Sequence, residues 1–338
     1  MMMYKLIFLI TLFMGTMISI SSYTWLGTWM GLEINLLSFI PLMKDKNNSF
    51  ASESSMKYFL VQAFASSIFF FAIILILISS NLINEMMNIS KLTLTIINSS
   101  LLLKMGAAPL HFWFPEIIEG LSWINSLILM TWQKIAPMML LSYSMKTPKF
   151  IMIIIIFCSI VGSIGGLNQT SLRKIMAYSS INHIGWMISS FLKNEMIWII
   201  YFSIYSLISS TLILMFNNLN LFHLKQMFML MNKNYILKFV MMMNFLSLGG
   251  LPPFLGFMPK WMIIQFLSKN YTILTLIMIL MTMITLFFYL RIAYTGLMIN
   301  HNELKFTYSN KIPLNLVMTF TFMNAIGLIF CTLMFNLY

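Results

Sequence analysis

The chain has 338 residues, 60% apolar and only 8% charged, whereas an average soluble domain carries about 25% charged residues. A mean hydropathy of +0.89 places it in lipid and excludes soluble enzymes, secreted disulfide domains and nucleic-acid modules. The net charge of +12 comes mostly from lysines and arginines between apolar runs, where basic residues mark one face of a membrane.

A helix needs about 20 apolar residues to cross a ~30 Å hydrocarbon layer. Runs of that kind predict spans near 4–21, 25–43, 57–80, 91–114, 122–144, 149–168, 173–192, 195–217, 236–268, 272–298 and 314–337. The runs are continuously apolar rather than alternating, which argues against a membrane β-barrel. The expected fold is a single all-α polytopic transmembrane domain of about eleven helices. The stretch from Asn217 to Lys238 leans polar and predicts a short surface helix.

With the N-terminus on one face, that face collects Lys5, Lys44, Lys46, Lys57, Arg173, Lys174, Lys225, Lys233, Lys238, Lys305 and Lys311. The opposite face collects Lys91, Lys146, Lys149, Lys193 and Lys269. The excess predicts a cytoplasm-equivalent side for the N-terminus and the other side for the C-terminus.

Two spans are interrupted. The fourth reads LLLKMGAAPLHFWFPE, with Gly106, Pro109 and Pro115, and the ninth reads FLSLGGLPPFLGFMPKW, with Gly249, Gly250, Pro252, Pro253, Gly256 and Pro259. Proline removes a backbone donor and clashes with the preceding turn, so neither is a straight helix. Unsatisfied backbone in lipid costs several kcal/mol, so both breaks are expected to face protein or a wet cavity. The breaks lie five spans apart, which predicts two inverted five-helix repeats, about 4–144 and 149–298, followed by a final helix at 314–337. Matching interrupted segments in two halves point to a transport site.

Charge at the bilayer centre is costly and is usually turned towards the bundle interior. Glu33, Lys104, Lys134 and Lys260 stand in or near mid-span. A lysine stripped of water loses proton affinity and a nearby carboxylate restores it. Four such groups on separate helices read as a proton relay. A bland reading stands beside this one: a buried carboxylate tied to a packing partner, and lysines that snorkel to headgroups. In the seventh span, Ser179, Ser180, Asn182 and His183 read as a wetted helix face. His111 reads as a packing histidine, Arg291 as an anchor or inter-chain contact, and Glu116, Glu119 and Lys174 as surface groups. Gly162 and Gly166 carry a close-packing spacing. Cys158 and Cys331 lie in apolar runs and suggest neither a disulfide, a metal site nor an iron–sulfur cluster. The chain has no GxGxxG and no GxxxxGK(S/T), so no nucleotide site is signalled.

Five stretches together carry a resemblance: WLGTWMGLEINLLSFIPL around Glu33, LLLKMGAAPLHFWFPE around Lys104, TWQKIAPMMLLS around Lys134, LRKIMAYSSINHIGWM around His183 and SLGGLPPFLGFMPKW around Lys260. With them the chain resembles the chain 2 family of antiporter-like membrane subunits in mitochondrial NADH–ubiquinone oxidoreductase, respiratory complex I. The abundance of Met, 35 residues, and of Ile, Asn, Phe and Leu also looks like that of an animal mitochondrial gene product. The resemblance implies a proton pathway in which Glu33 pairs with Lys104 at the first broken helix. Lys134 is then the central lysine and Lys260 the lysine of the second broken helix, on the exit side. Ser180 and His183 fall on a hydrated central axis. No cofactor is expected in this chain; NADH, FMN, iron–sulfur clusters and ubiquinone would be bound by other subunits. Expected partners are the neighbouring antiporter-like chain, small membrane chains and the lipid bilayer, with no nucleic acid. The expected location is the mitochondrial inner membrane, N-terminus to the matrix and C-terminus to the intermembrane space. Bacterial members carry three further N-terminal spans that have no counterpart here. The rival readings are a stand-alone cation/proton antiporter and a purely structural membrane scaffold.

Overall fold

The computed structural model describes residues 2–44, 48–79, 90–231 and 235–298, together with 321 and 327. Among the described residues the regular elements are α-helices: α1 (Met2–Ser21), α2 (Trp25–Met43), α3 (Ser49–Ser79), α4 (Lys91–Met105), α5 (Trp113–Gly120), α6 (Trp123–Met130), α7 (Trp132–Tyr143), α8 (Pro148–Gly166), α9 (Leu172–Phe191), α10 (Glu195–Leu219), α11 (Leu224–Met231), α12 (Tyr235–Gly249), α13 (Phe257–Leu267) and α14 (Thr272–Met298). One isolated antiparallel bridge joins Ser171 and His223.

Seven predicted spans return as single helices: α1, α2, α3, α8, α9, α10 and α14. Helix α3 begins at Ser49, a full two turns before the predicted start, because its first turns carry Glu53 and Lys57 in a solvated stretch. Three predicted spans are each two helices. Residues 91–114 hold α4 and the start of α5, 122–144 hold α6 and α7, and 236–268 hold α12 and α13. The predicted surface helix in 217–238 is α11. The last predicted span, 314–337, lies outside the described residues except for 321 and 327, as do Lys46, Lys233, Lys305, Lys311 and Cys331.

Six of the described helices, α1, α2, α3, α8, α10 and α14, are long and apolar enough to cross a membrane unaided. Helix α9 is as long as α1, yet its serines, Asn182 and His183 make it too polar for lipid contact. It is buried at every residue except Arg173, Lys174 and Tyr178, so protein replaces lipid around its polar side chains. Helix α14 instead exposes a stripe of Ile273, Leu276, Leu280, Met283 and Phe287, spaced three and four residues apart as one helix face requires. Such a face is at home in hydrocarbon or against an apolar partner.

In hydrocarbon every backbone group must be satisfied internally, which is why the chain is helical. The hydroxyls obey the same rule. Thr16 donates to Phe13 O at 2.7 Å and Ser180 to Ala177 O at 2.8 Å, folding each polar group onto its own helix.

The chain divides into two compact units, Met1–Cys158 and Ser159–Tyr338. In the first, α1 packs on α2, α3 packs on α2, α4 and α5, and α7 packs on α4 and α1. The α1–α2 contact is backbone to backbone: a Cβ on Gly31 would lie 2.5 Å from Ser19 N, and one on Gly15 2.9 Å from Asn35 N. Small residues let membrane helices approach this closely. In the second unit α9 packs on α10, α12 on α10 and α14, and α13 on α9 and α10. Gly162 takes the close-packing role expected of it, since a Cβ there would meet Asn182 N at 2.6 Å.

Candidate functional site: buried lysines at helix breaks

The first break is built by Gly106. It ends α4 in the left-handed region at φ 73°, where glycine has no Cβ penalty. A helix end inside a membrane leaves carbonyls and N–H groups without partners. Here side chains from elsewhere in the unit take them up. Trp113 Nε1 donates to Leu103 O at 3.2 Å and Gln62 Nε2 to Lys104 O at 3.1 Å. Beyond the break, Ala108 N donates to Cys158 Sγ at 3.2 Å, and His111 Nδ1 donates to Pro109 O at 3.2 Å. This bond holds the His111 ring against the backbone of the break.

Lys104 occupies the last turn of α4, where the negative end of the helix dipole favours a cation. Its side chain is buried, with Nζ 6.0 Å from the centre of the Phe69 ring. Glu33 on α2 is half-buried, and its carboxylate acts coulombically on Lys104. The two are not closed into an ion pair: Glu33 Oε2 and Lys104 Nζ are both buried without a hydrogen-bond partner in the chain. A cavity of about 10 Å³ touches Lys104 and is lined by Asn35, Tyr58, Gln62 and Gln133. That is close to the room one water needs, with amide groups to hold it. Gln133 Nε2 donates to Asn35 Oδ1 at 2.9 Å across it.

Lys134 is 1% exposed, the most deeply buried lysine among the described residues. It stands at an interruption that the sequence reading did not anticipate. Helix α6 stops at Met130, Thr131 departs to φ −112° and ψ −72°, and α7 restarts at Trp132. Pro137 lies inside α7; it cannot donate to Gln133 O and strains the preceding turn. The Lys134 ammonium lies 5.3 Å from the centre of the Phe114 ring, a cation–π contact that partly replaces lost hydration.

The second break follows the same logic in the other unit. Gly250 takes φ 79° and Gly250 N donates to both Leu246 O and Ser247 O at 3.1 Å. Lys260, in the first turn of α13, is buried, and its Nζ donates to Gly249 O at 2.8 Å, at the C-terminal end of α12. A Cβ on Gly250 would lie 3.0 Å from that ammonium.

His183 shares a 2.8 Å hydrogen bond with the Tyr201 hydroxyl and lies 5.0 Å, ring to ring, from Tyr205. Ser180 contacts Tyr205, and Ser179 faces Tyr289. A second cavity of about 10 Å³ is bounded by His183, Tyr201, Tyr205, Ser247 and Pro259. Ser180 and His183 both approach Tyr205, and Pro259 brings the cavity to the segment that carries Lys260.

The sequence reading missed Asn35, Gln62, Gln133, Tyr201, Tyr205 and Cys158. Gln62 and Gln133 carried a usable signal, being amides inside apolar runs. Tyr201 and Cys158 had none, since both read as ordinary members of an apolar span. Arg291 is an anchor within the chain, donating to Leu167 O. Glu116 is on the surface as expected, in an exposed cluster where Lys57 Nζ lies 3.0 Å from its carboxylate and 3.1 Å from that of Glu53. Among the described residues no group of three or more His, Cys, Asp and Glu side chains could hold a metal.

Residues 22–288 match the family model described as NADH:quinone oxidoreductase/Mrp antiporter, TM. The chain is 53% identical over 335 residues to the NADH-ubiquinone oxidoreductase chain 2 of Anopheles gambiae, covering 97% of both. It is 55% identical, again with 97% of both covered, to the protein of the same name from Aedes aegypti. Among solved structures it is similar to a chain of respiratory complex I from Thermus thermophilus with bound aureothin. There the TM-score is 0.85 at 21% identity, with 96% of this chain and 78% of that one covered. This polytopic all-helical chain therefore belongs to the NADH:quinone oxidoreductase/Mrp antiporter membrane family, among the relatives called NADH-ubiquinone oxidoreductase chain 2.

Proposed function

We propose that the chain is a membrane-arm subunit of the proton-translocating NADH:ubiquinone oxidoreductase, and that it carries protons through Glu33, Lys104, Lys134 and Lys260. Ser180 and His183 serve the same path. The observation that carries this reading is the placing of three buried lysines beside three helix interruptions, in a chain that matches its named relatives over 97% of their length. An interrupted helix supplies free carbonyls and room for water, and a buried lysine supplies a site that binds and releases a proton. The polar cavity at Lys104 and the His183–Tyr201 cluster are short stretches of such a path. Moving a unit charge against 100 mV costs about 2.3 kcal/mol, and a change of two pK units in one lysine provides about 2.7 kcal/mol.

In this reading NADH, FMN, iron–sulfur clusters and ubiquinone belong to other subunits of the complex. The partners are the neighbouring antiporter-like chain, small membrane chains and lipid. The location is the mitochondrial inner membrane, with the N-terminus in the matrix and the C-terminus in the intermembrane space. Two repeats, about 4–144 and 149–298, each hold one glycine- and proline-broken helix.

Gentle solubilisation of native membranes, separation of complexes by size and staining for NADH oxidation tests the assignment. The chain is expected in a very large NADH-oxidising assembly. Migration alone or as a small oligomer without that activity sinks it and favours the stand-alone antiporter. A second test concerns Glu33. Glu33→Gln keeps the size of the side chain but removes the charge that acts on Lys104. We expect proton translocation in vesicles to fall about fivefold or more, the lower end of ordinary coupling between sites, with assembly unchanged. Unaltered translocation would remove Glu33 from the path.

A further inference from the structure

We infer that Gln133 is a positioning residue, which with Asn35 forms an amide clasp that holds one water molecule at Lys104. The interruption at Thr131 restarts the chain as α7 at Trp132, so Gln133 lies in the first turn of that helix. Its Nε2 donates to Asn35 Oδ1 at 2.9 Å, a contact between residues 98 apart in the chain. Asn35 is buried in the middle of α2. Its backbone is pressed against α1, since a Cβ on Gly15 would lie 2.9 Å from Asn35 N. One end of the clasp is therefore fixed by close helix packing, and the other by the restart of α7.

Both amides line the cavity of about 10 Å³ that touches Lys104, and Tyr58, Gln62, Pro137 and two leucines complete its wall. Gln62 is tied to the break by its bond to Lys104 O at 3.1 Å. The Lys104 ammonium is buried and has no hydrogen-bond partner among the described residues. An ammonium that has lost its hydration needs an acceptor, and a water held by amides is one. An amide both donates and accepts hydrogen bonds, yet neither gains nor loses a proton at ordinary pH. Gln133 and Asn35 thus orient a water beside the lysine without competing for its proton, as a carboxylate would. Tying two helices together does not by itself account for the pair, because hydrogen bonds between polar side chains add little to the stability of a membrane bundle.

This role for Gln133 rests on the relay reading of Lys104, and the test keeps the two apart. The whole complex is prepared in vesicles with Gln133→Leu, with Gln133→Asn, and with Gln133→Asn combined with Asn35→Gln. Leucine removes the amide. Asparagine alone shortens the clasp by a methylene, and exchanging the two residues restores its length at the same total volume. Protons moved per NADH oxidised are then measured, a yield that does not depend on how much complex assembles.

Gln133→Leu and Gln133→Asn are each expected to lower the yield about twofold to tenfold, the change in population that a neutral hydrogen bond supports. The exchanged pair should regain most of it. Full yields in both single variants overturn the proposal. So does a loss that the exchange does not repair, or a complex that no longer assembles with Gln133→Leu, since the clasp would then serve packing alone. If Lys104→Met itself leaves translocation intact, the relay reading has failed, whatever Gln133 does. If Lys104→Met abolishes translocation while the Gln133 variants keep the full yield, the relay stands and the clasp does not.

Discussion

Lys134→Met is expected to lower proton translocation about hundredfold in vesicles holding the assembled complex, while the complex still assembles. The magnitude is the lower end of what a positioned acid–base group contributes. Assembly should survive for a physical reason. Lys134 is 1% exposed, and methionine fills nearly the same volume without the cost of desolvating a cation, so the exchange is neutral or stabilising for packing. Lys134→Arg sharpens the test. Arginine keeps the positive charge over the Phe114 ring but does not release its proton at any ordinary pH. A relay therefore fails with arginine as it does with methionine. A scaffold, in which the charge only holds helices together, works with arginine. Translocation retained in either variant would remove Lys134 from the path.

Gly256→Ala is expected to remove most of the assembled complex from the membrane. Gly256 precedes α13 at the second break, and a Cβ there would lie 1.8 Å from Ser247 O and 2.9 Å from Ser247 C. Both atoms are backbone, so no side-chain rotation relieves the clash, and α12 and α13 must separate. The cost is about 3 kcal/mol, the upper part of the range for overpacking a filled interior. Gly249→Ala supplies the control, because its nearest contact would be Tyr289 Cδ2 at an ordinary 3.4 Å. The checks are the amount of complex resolved by size under native conditions and its thermal stability. Equal stability of the two alanine variants would show that the close approach at Ser247 does not hold the break together.

The membrane class, the helical fold and the two glycine- and proline-broken helices were legible in the sequence. So were Glu33, Lys104, Lys134 and Lys260, because a charge within an apolar run is conspicuous. Helix α9 shows where that legibility ends. Its serines and His183 were visible as a polar stretch, but Tyr201 became part of the cluster only when α10 packed beside it. The interruption at Thr131 was missed because no glycine marks it and Pro137 sits six residues further on.

The sequence by itself determined that the chain folds as apolar helices, where glycine and proline interrupt two of them, and which ionisable groups lipid would reject. Only the tertiary structure decided that Gln62 and Trp113 take up the last carbonyls of α4, that Cys158 takes the Ala108 N–H, and that Phe114 lies between Gly106 and Lys134. The reason is physical. In lipid most spans are apolar all round, so hydropathy carries little record of which face meets which neighbour. The partner of each freed backbone group is settled by packing between residues far apart in the chain.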